Sequence, residues 1–184
     1  MVRKITLLLS LSLLFGFSAA AQDSKADVYV GYQYTRQNYG PGTTFNMNGG
    51  VGQIAVYPKS WLGIVGEVSG NAVGNITGLG GSGGTLYSYM GGPRLSFRHG
   101  PLQPYVQGLF GVGQLDSTLQ TRIGASSSTA YAMAIGGGLD LKLSHHFAVR
   151  AIQGDYFLTR FTNPLNVRFT QNNFRLSTGL VFRF

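Results

Sequence analysis

The sequence predicts an all-β chain: an eight-stranded antiparallel transmembrane β-barrel of up-and-down topology. Three observations predict it. The last thirteen residues place Phe174, Leu176, Leu180, Phe182 and Phe184 on one parity and Arg175, Ser177, Gly179 and Arg183 on the other. Side chains of a strand alternate faces, so this segment carries one apolar and one small or basic face. Eight segments with the same period are joined by tight turns alternating with longer loops. Finally, 28 of the 184 residues are glycine, 22 are Tyr or Phe, and none is cysteine. That composition suits strands and loops, since glycine weakens helix interiors.

Ahead of the strands, Arg3 and Lys4 precede the apolar run Ile5 to Phe17, followed by Ala19-Ala20-Ala21. This is the pattern of a secretory signal peptide over residues 1–21, leaving a barrel domain over 22–184. The run is shorter than the roughly 20 residues a spanning helix needs.

The first strand is expected at 27–36, with Val28, Val30, Tyr32 and Tyr34 opposite Tyr29, Gly31, Gln33 and Thr35. The second covers 46–57, with Ile54 and Val56 against Gln53 and Ala55. In the third, 61–69, Leu62, Ile64 and Val68 oppose Gly63, Glu67 and Ser69. The fourth, 86–98, sets Tyr87, Tyr89, Leu95 and Phe97 against Ser88, Arg94, Ser96 and Arg98. The fifth, 104–115, shows Val106, Phe110 and Val112 as its apolar set. In the sixth, 130–143, Tyr131, Met133, Ile135, Leu139, Leu141 and Leu143 oppose Ala132, Ala134, Gly136, Gly138, Asp140 and Lys142. The seventh covers 147–161 and the eighth 172–184. These are two-periodic runs bounded by turn residues.

The seventh strand breaks the alternation. Arg150 has even parity, whereas Gln153 and Asp155 have odd parity. A β-bulge near Ile152–Gln153 would turn all three to the same face and leave Tyr156 and Leu158 on the other.

Pro58-Lys59-Ser60, the stretch around His99-Gly100-Pro101, and Ser144-His145-His146 read as tight turns. The stretches near 37–45, 70–84, 116–129 and 162–171 read as longer loops. Short turns at one end and longer loops at the other are the pattern of outer-membrane barrels. An even strand number puts both termini at the turn end. Tyr57, Trp61, Phe97, Tyr105, Phe147 and Phe184 form an expected aromatic belt beside the turns. Tyr32, Tyr87, Tyr131, Phe161 and Phe174 form one towards the loops. A soluble lipid-binding barrel with its apolar face inward is the competing fold. The two belts and the small inner-face residues favour the membrane version.

The formal net charge is +8, and the basic residues are scattered singly along strands, without the runs that nucleic-acid binding uses. Lipopolysaccharide phosphates or the barrel lumen are the expected uses of these charges.

The C-terminal strand resembles that of bacterial outer-membrane barrels, whose terminal Phe and alternate apolar residues are read by the barrel-assembly machinery. Phe182 and Phe184 are the residues that carry this signal here. Across the chain after residue 21, the order of segments resembles the OmpA-type family of small eight-stranded barrels. The residues behind that resemblance are Trp61-Leu62-Gly63-Ile64, Gly91-Gly92-Pro93-Arg94-Leu95-Ser96-Phe97, Ala134-Ile135-Gly136-Gly137-Gly138-Leu139-Asp140, Ile152-Gln153-Gly154-Asp155-Tyr156 and Arg175-Leu176-Ser177-Thr178-Gly179. It implies an outer-membrane location, periplasmic termini and contact with outer-membrane lipids and lipopolysaccharide, as a monomer. The peptidoglycan-binding domain of long family members has no counterpart before Phe184, so cell-wall tethering is not implied.

By parity the inward charges are Glu67, Arg94, Arg98, Asp140, Lys142, Arg150, Asp155, Arg175 and Arg183. An eight-stranded barrel has room for little more than its own side chains, and buried charges there must be paired. A hairpin centred on His145 would set Asp140 opposite Arg150, and Asp155 and Arg175 fall at similar heights. Glu67, Arg94, Asp140, Arg150, Asp155 and Arg175 are therefore the expected ion pairs. They act as a structural plug or, alternatively, as an ion gate.

Lipid A-modifying enzymes with this fold place a His with Ser or acidic partners near the outer rim. Here His99, His145 and His146 all fall at the turns. No catalytic triad is expected, nor a metal or other cofactor: adjacent histidines point to opposite faces and lack an acidic cluster. Gly78 to Gly84 is not a phosphate-binding loop, since no Lys-Ser or Lys-Thr and no helix pattern follow. Asn75-Ile76-Thr77 matches a glycosylation acceptor, which means little in a bacterial chain. The leading functional reading is a non-enzymatic outer-membrane barrel serving membrane integrity or surface contact through four loops, with no surface partner named by the sequence. The alternatives are a narrow passive channel and a lipid A-modifying enzyme.

If the terminal aromatic is the assembly signal, Phe184→Ser should lower the outer-membrane level of the protein more than Phe174→Ser. Surface labelling of the two variants measures this, and equal levels would remove the C-terminal argument.

Overall fold

The computed structural model describes residues 25–38, 44–73, 83–116, 129–162 and 168–184. Within them the chain is eight strands: β1 (Ala26–Asn38), β2 (Thr44–Lys59), β3 (Leu62–Val73), β4 (Gly84–Ser96), β5 (Leu102–Leu115), β6 (Thr129–Lys142), β7 (Phe147–Thr162) and β8 (Arg168–Arg183). Each pairs antiparallel with its sequence neighbours, and β8 pairs with β1, which closes the barrel. Closure leaves no strand edge in hydrocarbon, where an unpaired backbone group would cost several kcal/mol. The ends of the barrel meet at the seam: Ala26 N donates to Phe184 O (3.1 Å) and Phe184 N to Ala26 O (2.9 Å).

The strands are 12 to 16 residues long, enough to cross a bilayer obliquely and project beyond it. Burial follows parity along the strands, apart from a bulge in β7 and the rim at the turn end. Val30, Tyr32, Ile54, Val68, Tyr89, Val106, Ile135, Ile152 and Leu180 are exposed outward, while Gln33, Gln53, Glu67, Arg94, Arg150 and Arg175 are buried inside. A hydrophobic exterior around a polar interior is the reverse of a soluble fold, and places lipid outside.

The bulge in β7 sits where the charges require it. Asp140 pairs with Arg150 and Leu139 with Ile152, so Ala151 is the extra residue on that side. Against β8, Arg150 faces Gly179 and Gln153 faces Ser177. Ala151 and Ile152 both end up exposed, and Arg150, Gln153 and Asp155 all point into the lumen.

Some details differ from the sequence expectation. The first tight turn is formed by Ser60 and Trp61, not by Pro58–Ser60. Pro58 stays within β2, and the register slips between Val56 and Lys59, because proline has no N–H for the ladder. Trp61, Phe97, Phe147 and Phe184 are exposed at the turn end, and Tyr32, Tyr87, Tyr131 and Phe174 towards the loops. Tyr57 and Tyr105, expected in the turn-end belt, point inward instead and are buried. Lys142, counted inward by parity, is exposed where the lumen opens at the turn end. The side chain of Phe161, residues 1–24, most of the four longer connections and Asn75-Ile76-Thr77 lie outside the described residues.

The closed ladder should make the detergent-folded protein heat-modifiable: unboiled and boiled samples should migrate differently on gels, with a β-type circular dichroism spectrum before boiling. Identical mobility together with a helical spectrum would contradict the fold.

Candidate functional site in the barrel lumen

The middle of the lumen is a hydrogen-bonded charge network built from inward positions of seven strands, β2 to β8. Arg150 on β7 is at its centre, with none of its surface exposed. Its Nε and Nη2 bond the two carboxylate oxygens of Asp140 at 2.8 and 3.2 Å, a bidentate fork. Its Nη1 donates to Gln53 Oε1 (2.6 Å) and Gln153 Oε1 (2.7 Å). The flat faces of the guanidinium are covered by the rings of Tyr29 and Tyr105, whose centroids are 4.0 and 4.6 Å away. Desolvated cation–π contacts of this kind contribute about 2 kcal/mol each.

Arg175 on β8 joins two carboxylates. Its Nη2 lies 3.0 Å from Glu67 Oε1 and 3.4 Å from Asp155 Oδ2, and its guanidinium stacks 4.4 Å from the Phe157 ring. Arg94 behaves differently from the expectation that it belongs to an ion pair. Among the described residues it meets no carboxylate; its donors go to Gln53 Oε1 (2.5 Å) and Gln107 Oε1 (2.6 and 3.1 Å). Those glutamines pass the charge on. Gln53 Nε2 donates to Glu67 Oε2 at 2.6 Å, and Gln107 Nε2 to Asp155 Oδ1 at 3.4 Å. The acceptor end of each amide faces the arginine and the donor end faces the carboxylate, so one amide satisfies both signs of charge. Gln153 repeats the pattern, accepting from Arg150 and Tyr105 Oη and donating to Asp155 Oδ2 at 2.7 Å.

At the turn end a smaller cluster completes the lumen. Arg98 Nη2 lies 3.1 Å from Asp27 Oδ1 and covers the Tyr57 ring at 4.1 Å. Arg183 sits between Asp27 (4.0 Å) and Asp140 (3.9 Å), tying this cluster to the central network. Towards the loops the lumen changes character. Met47, Leu86, Met90, Leu109, Leu115 and Phe157 pack with Ala130, Ala132 and Ala134 into a buried apolar wall. Gln33, Thr35, Asn71, Thr159, Gln171 and Asn173 are also buried inside, on β1, β3, β7 and β8.

The inward tyrosines fit because glycines lie beneath them. A Cβ at Gly138 would stand 2.6 Å from Tyr105 Oη, and one at Gly63 would stand 2.8 Å from Tyr57 Cε1. Gly31 and Gly179 leave room for the Tyr29 ring in the same way. Sequence reasoning placed the charges and put Tyr29 on the inner face, but missed the Tyr57 and Tyr105 rings, the glutamine relays and the apolar wall. The signal available was parity, which puts Tyr57, Tyr105 and Gln107 inward on their strands.

Outside, a groove of about 580 Å³ runs over Gly52 and Gly66, bordered by outward Val28, Val30, Ile54, Val68 and Tyr89. It is apolar and opens to the lipid side. His99, His145 and His146 stand at the turn end, and the described residues contain no cluster of three potential metal ligands.

A closed, up-and-down barrel with an apolar exterior and a charged, filled interior defines a small outer-membrane β-barrel. The family model described as outer membrane protein beta-barrel domain matches residues 7–184, and the chain belongs to that family. Its fold is shared with Ail, the attachment invasion locus protein of Yersinia pestis, at 18% identity and a TM-score of 0.57, covering 89% of this chain and 100% of that one. Neisserial surface protein A has the same fold, at 13% identity and a TM-score of 0.62, covering 88% and 98%. Ail in complex with the heparin analogue sucrose octasulfate matches at 16% identity and a TM-score of 0.54, covering 89% and 100%. No curated protein sequence matches the chain.

Removing Asp140 leaves the Arg150 charge without its bidentate partner. Asp140→Ala should destabilise the barrel by about 3–5 kcal/mol in urea unfolding. Arg150→Met in the same chain should restore much of that loss. An Asp140→Ala variant as stable as the parent would show that the pair contributes little.

Proposed function

We propose that the chain is a non-enzymatic, non-conducting barrel of the bacterial outer membrane, which supports membrane integrity and presents its four loops for surface contact. The observation that carries this reading is the interlocked centre of the lumen. Arg94, Arg150 and Arg175 reach across to Gln53, Glu67, Gln107 and Asp155 from different strands, with no part of the three guanidinium groups open to solvent beyond 1%. An aqueous passage would need these contacts to break together. Wide channels belong to barrels of about 16–18 strands.

In this reading residues 1–21 direct export and are cleaved, and the turn end with both termini faces the periplasm. Phe184, 62% exposed, and Phe182, packed edge-on against Phe147 at 5.2 Å, present the C-terminal strand to the barrel-assembly machinery. The chain works as a monomer among outer-membrane lipids and lipopolysaccharide. Histidines confined to the turn end support a role without hydrolytic chemistry, because outer-rim catalysis would need a base there. The heparin-analogue complex of Ail makes a sulfated glycan the first surface ligand to try.

Purified protein in planar bilayers should give no stable conductance, or at most rare small openings. Reproducible long-lived channels whose selectivity changes on neutralising Arg94 or Arg175 would make a pore the better reading. Lipid A profiles of cells with and without the protein should be identical by mass spectrometry; a changed acylation or phosphate pattern would point to an enzyme.

A further inference from the structure

Hydrogen bonding is left incomplete in one part of the lumen. Arg175 uses Nη2 for its two carboxylates, while its Nε and Nη1, fully buried, donate to nothing. Above it on β8, Asn173 accepts from Asn38 N at 3.0 Å and Gln171 accepts from Thr159 Oγ1 at 3.2 Å. Their carbonyl ends are therefore occupied, and Asn173 Nδ2 and Gln171 Nε2 remain without acceptors. On β1, Gln33 is the partner of Ser177, two residues from the Thr35 that faces Arg175. Both amide atoms of Gln33 are unbonded, and none of its surface is exposed.

Each buried polar group left unsatisfied costs about 1–3 kcal/mol. Several together are comparable with the whole stability of a small domain, so something must accept from them. Water alone answers poorly. It brings as many donors as acceptors, and this group already has an excess of N–H donors over Gln33 Oε1, Glu67 Oε1 and Ser177 Oγ. An anion brings acceptors only. Among the described residues the lumen as a whole encloses the guanidinium groups of Arg94, Arg98, Arg150, Arg175 and Arg183 against the carboxylates of Asp27, Glu67, Asp140 and Asp155, so an enclosed anion would balance the total, while Arg175 itself already faces two of the carboxylates.

We propose that the lumen holds a small monovalent anion of halide size on an unbonded N–H of Arg175, at Nε or Nη1, with Gln33 Nε2 as a second donor. Asn173 and Gln171 continue the line of N–H donors along β8 towards the loops. The site is a dead end, because below it Arg175 is locked to Glu67 and Asp155. It therefore adds a ligand to the plugged lumen without requiring conduction.

Sodium bromide is the probe, with sodium gluconate at the same ionic strength as the control too large to enter. For the detergent-folded protein, bromide should raise the urea midpoint above that in gluconate. Crystals grown in bromide should show an anomalous peak within hydrogen-bonding distance of Arg175 Nε or Nη1. Gln33→Leu should lose the bromide-specific shift. Gln33→Glu should lose it too while staying at least as stable as the parent in gluconate, because the new carboxylate takes the anion's place. That variant also carries the test if Gln33→Leu does not fold. Equal midpoints of the parent in the two salts, a bromide shift that survives in the Gln33 variants, or a peak away from Arg175 would each overturn the site.

Discussion

Removing a guanidinium from water costs several kcal/mol even after relaxation, and at Arg150 this barrel does so completely. Everything around that side chain answers the cost. Asp140 supplies opposite charge across the neighbouring strand, Gln53 and Gln153 supply neutral acceptors, and Tyr29 and Tyr105 cover both faces. The β7 bulge belongs to the same solution. Without the extra residue, strict alternation would send either Arg150 or the Gln153–Asp155 pair into lipid. The register of β6, β7 and β8 is thus set by where one cation can be buried, as much as by the turns joining them.

Satisfying that cation fixes what the lumen can do. Gln53 accepts from Arg94 and Arg150 together and donates to Glu67, so it belongs to two charge systems at once. The rings that shield the arginines need glycines on adjoining strands, which explains part of the glycine content in terms of space. With centre and turn end filled by charge, the loop half is left to methionine, leucine, alanine and phenylalanine along one wall and to amides along the other. The lumen therefore changes polarity along its axis as well as across it.

Most of the fold could be read from the chain because a membrane barrel imposes period two on both of its faces. Arg150, Gln153 and Asp155 even revealed the bulge, since hydrocarbon does not tolerate the alternative. Hairpin counting set Asp140 opposite Arg150 and put Asp155 and Arg175 at similar heights; in the ladder Asp140 is the partner of Arg150 and Asp155 of Arg175. What escaped was any feature that depends on reach across the lumen. Arg94 was expected to find a carboxylate, but glutamines intervene, and no sequence period says which inward side chains meet. Tyr57 and Tyr105 were assigned to the belt because they lie near turns; inward parity over Gly63 and Gly138 prevailed. Lys142 kept its parity but lost its burial, because the barrel ends at that height.

The placement of the lone tryptophan has a spectroscopic consequence. Trp61 lies in the β2–β3 turn, 53% exposed, with the Lys59 ammonium 5.6 Å from its ring centroid, outside the barrel and at the end opposite the longer connections. Its emission colour and its access to quenchers carried on lipid chains will register when the turn end settles at the headgroup level. They will be nearly blind to whether the charges inside have found their partners. Tyr29, Tyr57 and Tyr105 are buried inside while Tyr32, Tyr87, Tyr89, Tyr131 and Tyr156 face outward, so the near-ultraviolet circular dichroism lost on replacing the three inner tyrosines by Phe will report on the interior instead. Two intrinsic chromophores thus divide insertion from internal packing, so the order of those events during folding can be followed without attaching a label.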